Sequence, residues 1–301
     1  MKYIYSLCLL CCWFAGLQPT FAQSTETLRS ALQQIVADKN ATVGVAIRSS
    51  NGSDTVSLNG TQHFAMQSVF KFHIALAVLS QIDQGKFSLS QAIEVKPQEL
   101  LPGLWSPLRE ANPQGGIFPI SVLLSYAVSV SDNVACDVLL RLLGGPTVVE
   151  TYFKQNNIQD ISIQINEEIM QANWDLMFQN WTTPQAANEV LVKFYENSPA
   201  LLSAESYAFV WKVMKETSTG LKRLKGQLPE GTVVAHKTGT SGSKAGITEA
   251  VNDIGVIFLP NGDYFFISVF VTHSKEDEAT NEKIVADIAK AAWDYFIAKA
   301  K

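Results

Sequence analysis

Residues 68–84, SVFKFHIALAVLSQIDQ ahead of Gly85, are apolar around nearly the whole helical circumference over their first twelve positions, interrupted by Ser68, Lys71 and His73. A helix that is apolar all round must be surrounded by protein, so the rest of the chain has to pack on every side of it. With 301 residues, of which 47% are hydrophobic and 17% charged, the chain can build such a core and is not a disordered or collagen-like sequence. Lysine is rarely buried without a partner or a purpose. Lys71 follows Ser68 by three residues, which puts both on one face, one turn apart. Burial disfavours an ammonium, which suits a lysine to accept the proton of a serine hydroxyl, and free N–H groups at a helix start suit a developing oxyanion.

Ser-x-x-Lys is a common tetrapeptide, and Ser241-Gly-Ser-Lys244 is a second copy, set aside because it lies in a glycine-rich turn. Taken alone, Ser68 is equally well read as an N-cap with Lys71 reaching to solvent. Two further motifs change the balance. Ser131-Asp132-Asn133 opens a helix over Val134–Leu143 that is stopped by Gly144-Gly145. Lys237-Thr238-Gly239 closes an expected strand and runs into Thr240-Ser241-Gly242. Ser-x-Asn recurs at Ser49 and Ser57, but Lys-Thr-Gly occurs once, and the three motifs in this order are hard to assemble by chance.

The flanks and the middle of the chain read differently. Residues 24–38 form an amphipathic helix capped by Ser24 or Thr25, followed by strands Val43–Ile47 and Thr55–Leu58 around the turn Ser50-Asn51-Gly52-Ser53. Strands follow at Thr232–Lys237, Ile254–Leu259 and Tyr264–Val271, the last two joined by Pro260-Asn261-Gly262-Asp263, and residues 276–299 close the chain as a helix. The middle shows helical patterns with Pro and Gly breaks. The expected fold is α/β (α+β) with two lobes. Residues 23–63 and 218–301 form a discontinuous α/β lobe, a five-stranded antiparallel sheet flanked by the terminal helices, and residues 64–217 form an all-helical lobe. A cleft between lobes is the natural place for chemistry. The stretch 159–183 lacks a sustained helical period, and so long an irregular segment in a compact domain is usually functional.

Residues 1–22 read as a signal peptide: Lys2, the apolar run Ile4–Leu17, then Thr20-Phe21-Ala22 before Gln23. The run is short for a membrane anchor, and the residues before Cys8, Cys11 and Cys12 do not suit lipidation. The expectation is cleavage and export, to the periplasm or beyond, with no membrane association of the mature chain. Cleavage leaves Cys136 alone, so no intrachain disulfide forms, and the formal charge moves from −5 to −6, which gives no electrostatic basis for nucleic-acid binding. Four scattered histidines and one cysteine argue against a metal site, and no cofactor motif is present. His73 and Cys136 read as core residues, and His236 should face away from Lys237.

The ordered set Ser68/Lys71, Ser131/Asn133 and Lys237-Thr238-Gly239 resembles the penicillin-recognising serine enzymes, specifically the class A β-lactamases, and within them the PER-type and VEB-type extended-spectrum branch. The resemblance extends over essentially the whole mature chain. It implies hydrolysis of a small-molecule β-lactam by a monomer through an acyl-enzyme on Ser68, with Lys71 and a loop glutamate as bases. Glu167 fits the pattern of that glutamate, as Glu-x-x-apolar-amide ending in Gln171, better than Glu168 does. The resemblance further implies backbone N–H groups of Ser68 and Thr240 as oxyanion hole and Ser131 as proton donor to the leaving nitrogen. Asn133 would bind the substrate's side-chain amide. Lys237, Thr238, Gly239, Thr240 and Arg223 would gather around its carboxylate, and Trp105, in Trp105-Ser106-Pro107, would wall the site. The chain departs from the family at Gln171, where Asn is usual, and at Ile165 and Asn180, where an Arg and an Asp usually clamp the loop. This suggests a different loop course and a wider site. Val69 and Ser241 exclude the disulfide of some carbapenem-hydrolysing relatives. Two other readings share the motifs: a DD-peptidase or transpeptidase, and a β-lactam sensor that deacylates slowly.

Overall fold

The computed structural model describes residues 24–299, so the expected signal peptide at 1–22 lies outside the described residues. Helix α1 (Thr25–Val36) starts where Ser24 accepts a hydrogen bond from Thr27 N, and it buries Leu28 and Leu32. Strands β1 (Thr42–Ser49) and β2 (Thr55–Leu58) follow, then helix α2 (Phe70–Asp83). Helices α3 (Asn133–Leu143), α4 (Glu167–Ala172), α5 (Pro184–Glu196) and α6 (Ala204–Lys215) lead to strands β3 (Val234–Thr240), β4 (Val251–Phe258) and β5 (Tyr264–Thr272). Helix α7 (Glu278–Lys299) closes the chain. All pairings in the sheet are antiparallel, in the order β2-β1-β5-β4-β3.

Both faces of this sheet are covered, which explains why β5 reads as a nearly unbroken apolar run. Phe265, Ile267, Val269 and Val271 pack with α1 and α7, while Phe266 and Phe270 join the core built around α2. On the first face Phe265 stacks on Phe296 of α7 at a centroid distance of 4.7 Å. On the second, α2 buries every residue from Phe70 to Ser80, as its all-round apolarity requires.

Three expectations need correction. The middle of the chain is not all-helical: Ala92–Val95 pairs with Gly116–Pro119, and Phe64–Ala65, Trp181–Thr182 and Ile161–Ser162 form a small ladder. Runs of two to four residues are too short to reveal a two-residue period. The 159–183 stretch carries α4 and a 3-10 turn at Trp174–Gln179. Strand β3 begins two residues later than expected and continues to Thr240, so Lys237-Thr238-Gly239 lies inside the strand. The cause is its partner, since β4 starts at Val251 and pairs it with Thr240.

Candidate active site

Ser68 sits in a 3-10 turn, Gln67–Val69, that leads directly into α2. The turn is held from both sides. Met66 N donates to Asn180 O at 2.9 Å, and Asn252 Nδ2 donates to Ala65 O at 2.8 Å. Gln67 is forced to a φ of 46°, a region that costs a non-glycine residue energy and persists only where the surroundings impose it. Ser68 does not cap the helix through its side chain, and Lys71 does not reach solvent: it is 0% exposed. The ammonium of Lys71 donates to Ser68 Oγ at 2.7 Å, to Asn133 Oδ1 at 2.5 Å and to Ser131 O at 3.1 Å. Glu167 Oε1 is a fourth oxygen, 2.7 Å from Nζ but out of line for a hydrogen bond. Burial of this cation is tolerable only with such company.

Ser131 adopts a φ of 61° just before α3, and Lys237 Nζ donates to its Oγ at 3.0 Å. Lys237 is fully buried. Desolvation and the neighbouring Lys71 push its ammonium pKa well below the usual lysine value, against the pull of Asp253 and Glu167. Asp132 caps α3 by accepting from Ala135 N at 2.8 Å, and it also accepts from Ser106 Oγ and from Leu108 N at 2.7 Å. That carboxylate therefore fixes the 105–108 segment against the start of α3. Trp105 stands at the rim, its indole N–H donating to Val130 O at 3.0 Å and its ring 57% exposed.

Strand β3 forms the opposite wall. Gly239 passes so near the nucleophile turn that a Cβ there would lie 2.4 Å from Met66 O, which explains a glycine in the third motif. Arg223, 4% exposed, donates through Nη1 to Gly239 O and Asn252 O, each at 3.1 Å, and through Nη2 to Thr240 Oγ1 at 2.7 Å. Thr219 and Thr238 hydroxyls meet at 2.6 Å. A cleft of about 460 Å³ is lined by Ser68, Trp105, Ser131, Asn133, Glu167, Gln171, Thr238 and Thr240 among others. Lys71, Lys237, Gly239 and Arg223 lie behind this lining rather than in it.

The loop that roofs the cleft is stitched by side chains to backbone. Asn166 caps α4 by accepting from Ile169 N at 3.1 Å, leaving Glu167 buried and Glu168 exposed. Asn180, fully buried, accepts from Gln164 N at 2.8 Å and Ile165 N at 3.1 Å and donates to Ile165 O at 2.9 Å. Asp137 accepts from Glu167 N at 2.8 Å and Glu168 N at 3.0 Å. Its removal from water pushes its carboxyl pKa up to about 7 in spite of those bonds. Sequence reasoning missed Asp137, although it lies four residues after Asn133 and hence on the same face of α3. It also missed Thr219, Asn252 and the lining residues Met170, Trp174 and Met177, for which no motif exists. Among the described residues, no group of three or more His, Cys, Asp or Glu side chains is gathered as a metal site.

An antiparallel sheet backed by two terminal helices, with a buried lysine between a serine and a glutamate at its cleft, is the architecture of class A β-lactamases. The sequence profile of the beta-lactamase enzyme family matches residues 27–296, and the chain belongs to that family. It is 53% identical over 275 residues to the beta-lactamase VEB-1 of Pseudomonas aeruginosa, covering 91% of this chain and 92% of that protein. Identity to the extended-spectrum beta-lactamase PER-1 of Pseudomonas aeruginosa is 45%, over 93% of this chain and 90% of that protein. The crystal structure of the TLA-1 extended-spectrum beta-lactamase superposes with a TM-score of 0.89 at 45% identity, over 91% of this chain and 100% of that one.

Proposed function

We propose that this protein hydrolyses the amide bond of β-lactams through a serine acyl-enzyme, extended-spectrum cephalosporins among them, and so confers resistance. The observation that carries the reading is Glu167: a buried carboxylate 2.7 Å from Lys71 Nζ, on the cleft that Ser68 also lines. A DD-peptidase or a sensor needs Ser68 and Lys71, but only a hydrolase of this kind needs an acid held over the ester.

Ser68 Oγ attacks the lactam carbonyl and its proton passes to Lys71, or through water to Glu167. The backbone N–H groups of Ser68 and Thr240 stabilise the oxyanion. Ser131, polarised by Lys237, gives its proton to the departing nitrogen, which would otherwise leave as a poor amide anion. Asn133 binds the side-chain amide of the substrate, and Trp105 walls that end. Lys237, Thr238, Gly239, Thr240 and Arg223 form the carboxylate subsite. Glu167, aided by Gln171, then directs water onto the acyl-enzyme.

Two relatives reported above are named as extended-spectrum enzymes, which supports a site that admits bulky cephalosporins; Asn180 ties the loop to Ile165 where the family's ion pair would stand. The lobe division at 23–63 and 218–301 against 64–217 is part of the same reading, with the cleft at the junction. Export after loss of residues 1–22 and a monomeric mature chain belong to the same reading; among the described residues no helix is long and apolar enough to cross a membrane.

The test is turnover of a cephalosporin in hundredfold excess by the purified mature chain. Repeated turnover is expected, and Glu167→Ala should slow deacylation about a thousandfold and leave a covalent adduct visible by intact-mass measurement. One equivalent consumed by the wild type, then silence, would replace the hydrolase reading with that of a penicillin-binding protein or sensor.

A further inference from the structure

His236 and Asp253 form a fully buried pair that the chemistry above does not use. His236 alternates with Lys237 along β3, so its ring turns away from the cleft, and its Nδ1 lies 2.9 and 3.0 Å from the two carboxylate oxygens of Asp253. An ionised carboxylate only accepts, so Nδ1 carries the proton there, and among the described residues Nε2 meets no polar partner. A polar ring buried with half its bonding capacity idle is costly, and groups of that kind persist where a specific arrangement depends on them.

The surroundings show what depends on it. Asp253 Oδ2 also accepts from Leu224 N at 3.3 Å, the amide directly after Arg223. In the β3–β4 ladder Asp253 stands opposite Thr238. The carbonyl of His236 accepts from Thr217 Oγ1 at 2.6 Å, two residues before Thr219, whose hydroxyl meets that of Thr238. The pair is thus bonded to the backbone beside Arg223, to the Thr217 hydroxyl near Thr219, and lies in the ladder that carries Thr238. It also places a negative charge behind a wall in which Lys71, Lys237 and Arg223 converge, where the other nearby anions are Glu167 beside Lys71 and Glu282 at 3.4 Å from Arg223 Nε.

We propose that His236 and Asp253 are positioning residues for recognition of the substrate carboxylate. Asp253 fixes Arg223 through the Leu224 amide and supplies the charge that balances Lys237, and His236 holds Asp253 in that orientation. The inference rests on the β-lactam reading of the cleft. Neither residue touches the substrate, so the pair governs binding of the anion more than the acyl chemistry.

The experiment compares a cephalosporin with its methyl ester, which lacks the anion, on wild type, Asp253→Asn, His236→Gln and His236→Leu. For Asp253→Asn and His236→Leu, kcat/KM on the acid should fall roughly tenfold to a hundredfold, the loss of one charge-assisted contact, almost all of it in KM. The ester should be affected less than about threefold on the same basis. His236→Gln, whose amide N–H can still reach the carboxylate, should recover most of the loss. Equal losses on acid and ester, a loss confined to kcat, or no loss would overturn the proposal. So would failure of all three variants to melt cooperatively, which would make the pair a requirement of folding. No turnover of either compound by the wild type would instead overturn the hydrolase reading, and the inference with it.

Discussion

The floor of the cleft and the loop that roofs it are held by different kinds of force. The floor is a cluster of charged and hydroxyl groups on α2, α3 and β3, each rooted in a regular element and backed by the larger core. The roof, residues 159–183, has a six-residue helix, one 3-10 turn and a two-residue ladder, and it is kept in place by Asn180, Asp137 and Glu150 binding backbone amides. The floor's reactive side chains bind one another as well as main chain, whereas the roof is held chiefly by side chains that bind main chain. In the proposed reaction, acylation draws on the floor and deacylation on the roof.

That contrast can be broken from either side. Lys71→Ala removes the donor shared by Ser68, Ser131 O and Asn133 and the cation paired with Glu167, and acylation should drop by about a thousandfold or more, with no burst in stopped-flow turnover. Asn180→Ala should act on the other limb. It strips the amides of Gln164 and Ile165 and the Ile165 carbonyl of their side-chain partner, a cost of roughly 3 kcal/mol in denaturant unfolding. Its acylation burst should survive while the steady state slows, and amides of 159–182 should exchange faster than those of α2. Equal loss of both kinetic phases would mean that floor and roof are one unit.

The smallest effects separate the two regions by pH. His73, 0% exposed in the floor's core, has its imidazole pKa pushed down from 6.5 to about 4 by burial. The unfolded chain binds that proton first, so this contribution is complete above pH 6.5 and is lost as pH falls through about 4. It amounts to roughly 3 kcal/mol, and His73→Leu should flatten the acid limb of a stability profile. Asp137 behaves oppositely. Its carboxyl is pushed up from 3.8 to about 7, so its contribution is complete below 3.8 and is lost as pH rises through about 7. Asp137→Asn should remove this fall in stability between pH 3.8 and about 7, a few degrees in Tm, and slow deacylation several-fold, since an amide can satisfy only one of the two backbone N–H groups. Profiles unchanged by either substitution would remove the contrast.

The same division explains what could be read from the sequence. Ser68, Lys71, Ser131, Asn133 and Lys237 are legible because a particular side chain must stand at a fixed spacing on a helix or strand, and those spacings survive in one dimension. The sheet was legible from the turn residues at Ser50–Ser53 and Pro260–Asp263 and from apolar runs such as Tyr264–Val271. The roof was not. A bond from Asn180 to the backbone at Ile165 depends on where the chain returns, and the two-residue ladders near 161 and 181 have no period to detect. Asn180 could be recognised as unlike the family's clamp, yet the bonds that replace that clamp required coordinates. Asp253 had no signal at all, because it answers to a strand neighbour seventeen residues away.

Gly239 carries a consequence for how such an enzyme can change. With a virtual Cβ already 2.4 Å from Met66 O, the strand and the nucleophile turn stand at their minimum separation, and no side chain can be added at that point without moving main chain. One jaw of the cleft is therefore at a mechanical stop. Selection for bulkier or differently shaped drugs has no small steps available there. It must work around that point, at open positions such as Thr240 or on the other jaw, where bonds from side chain to backbone can be exchanged one at a time, so variation in substrate range among sequences of this type should spare Gly239 and accumulate beside it and in the roof.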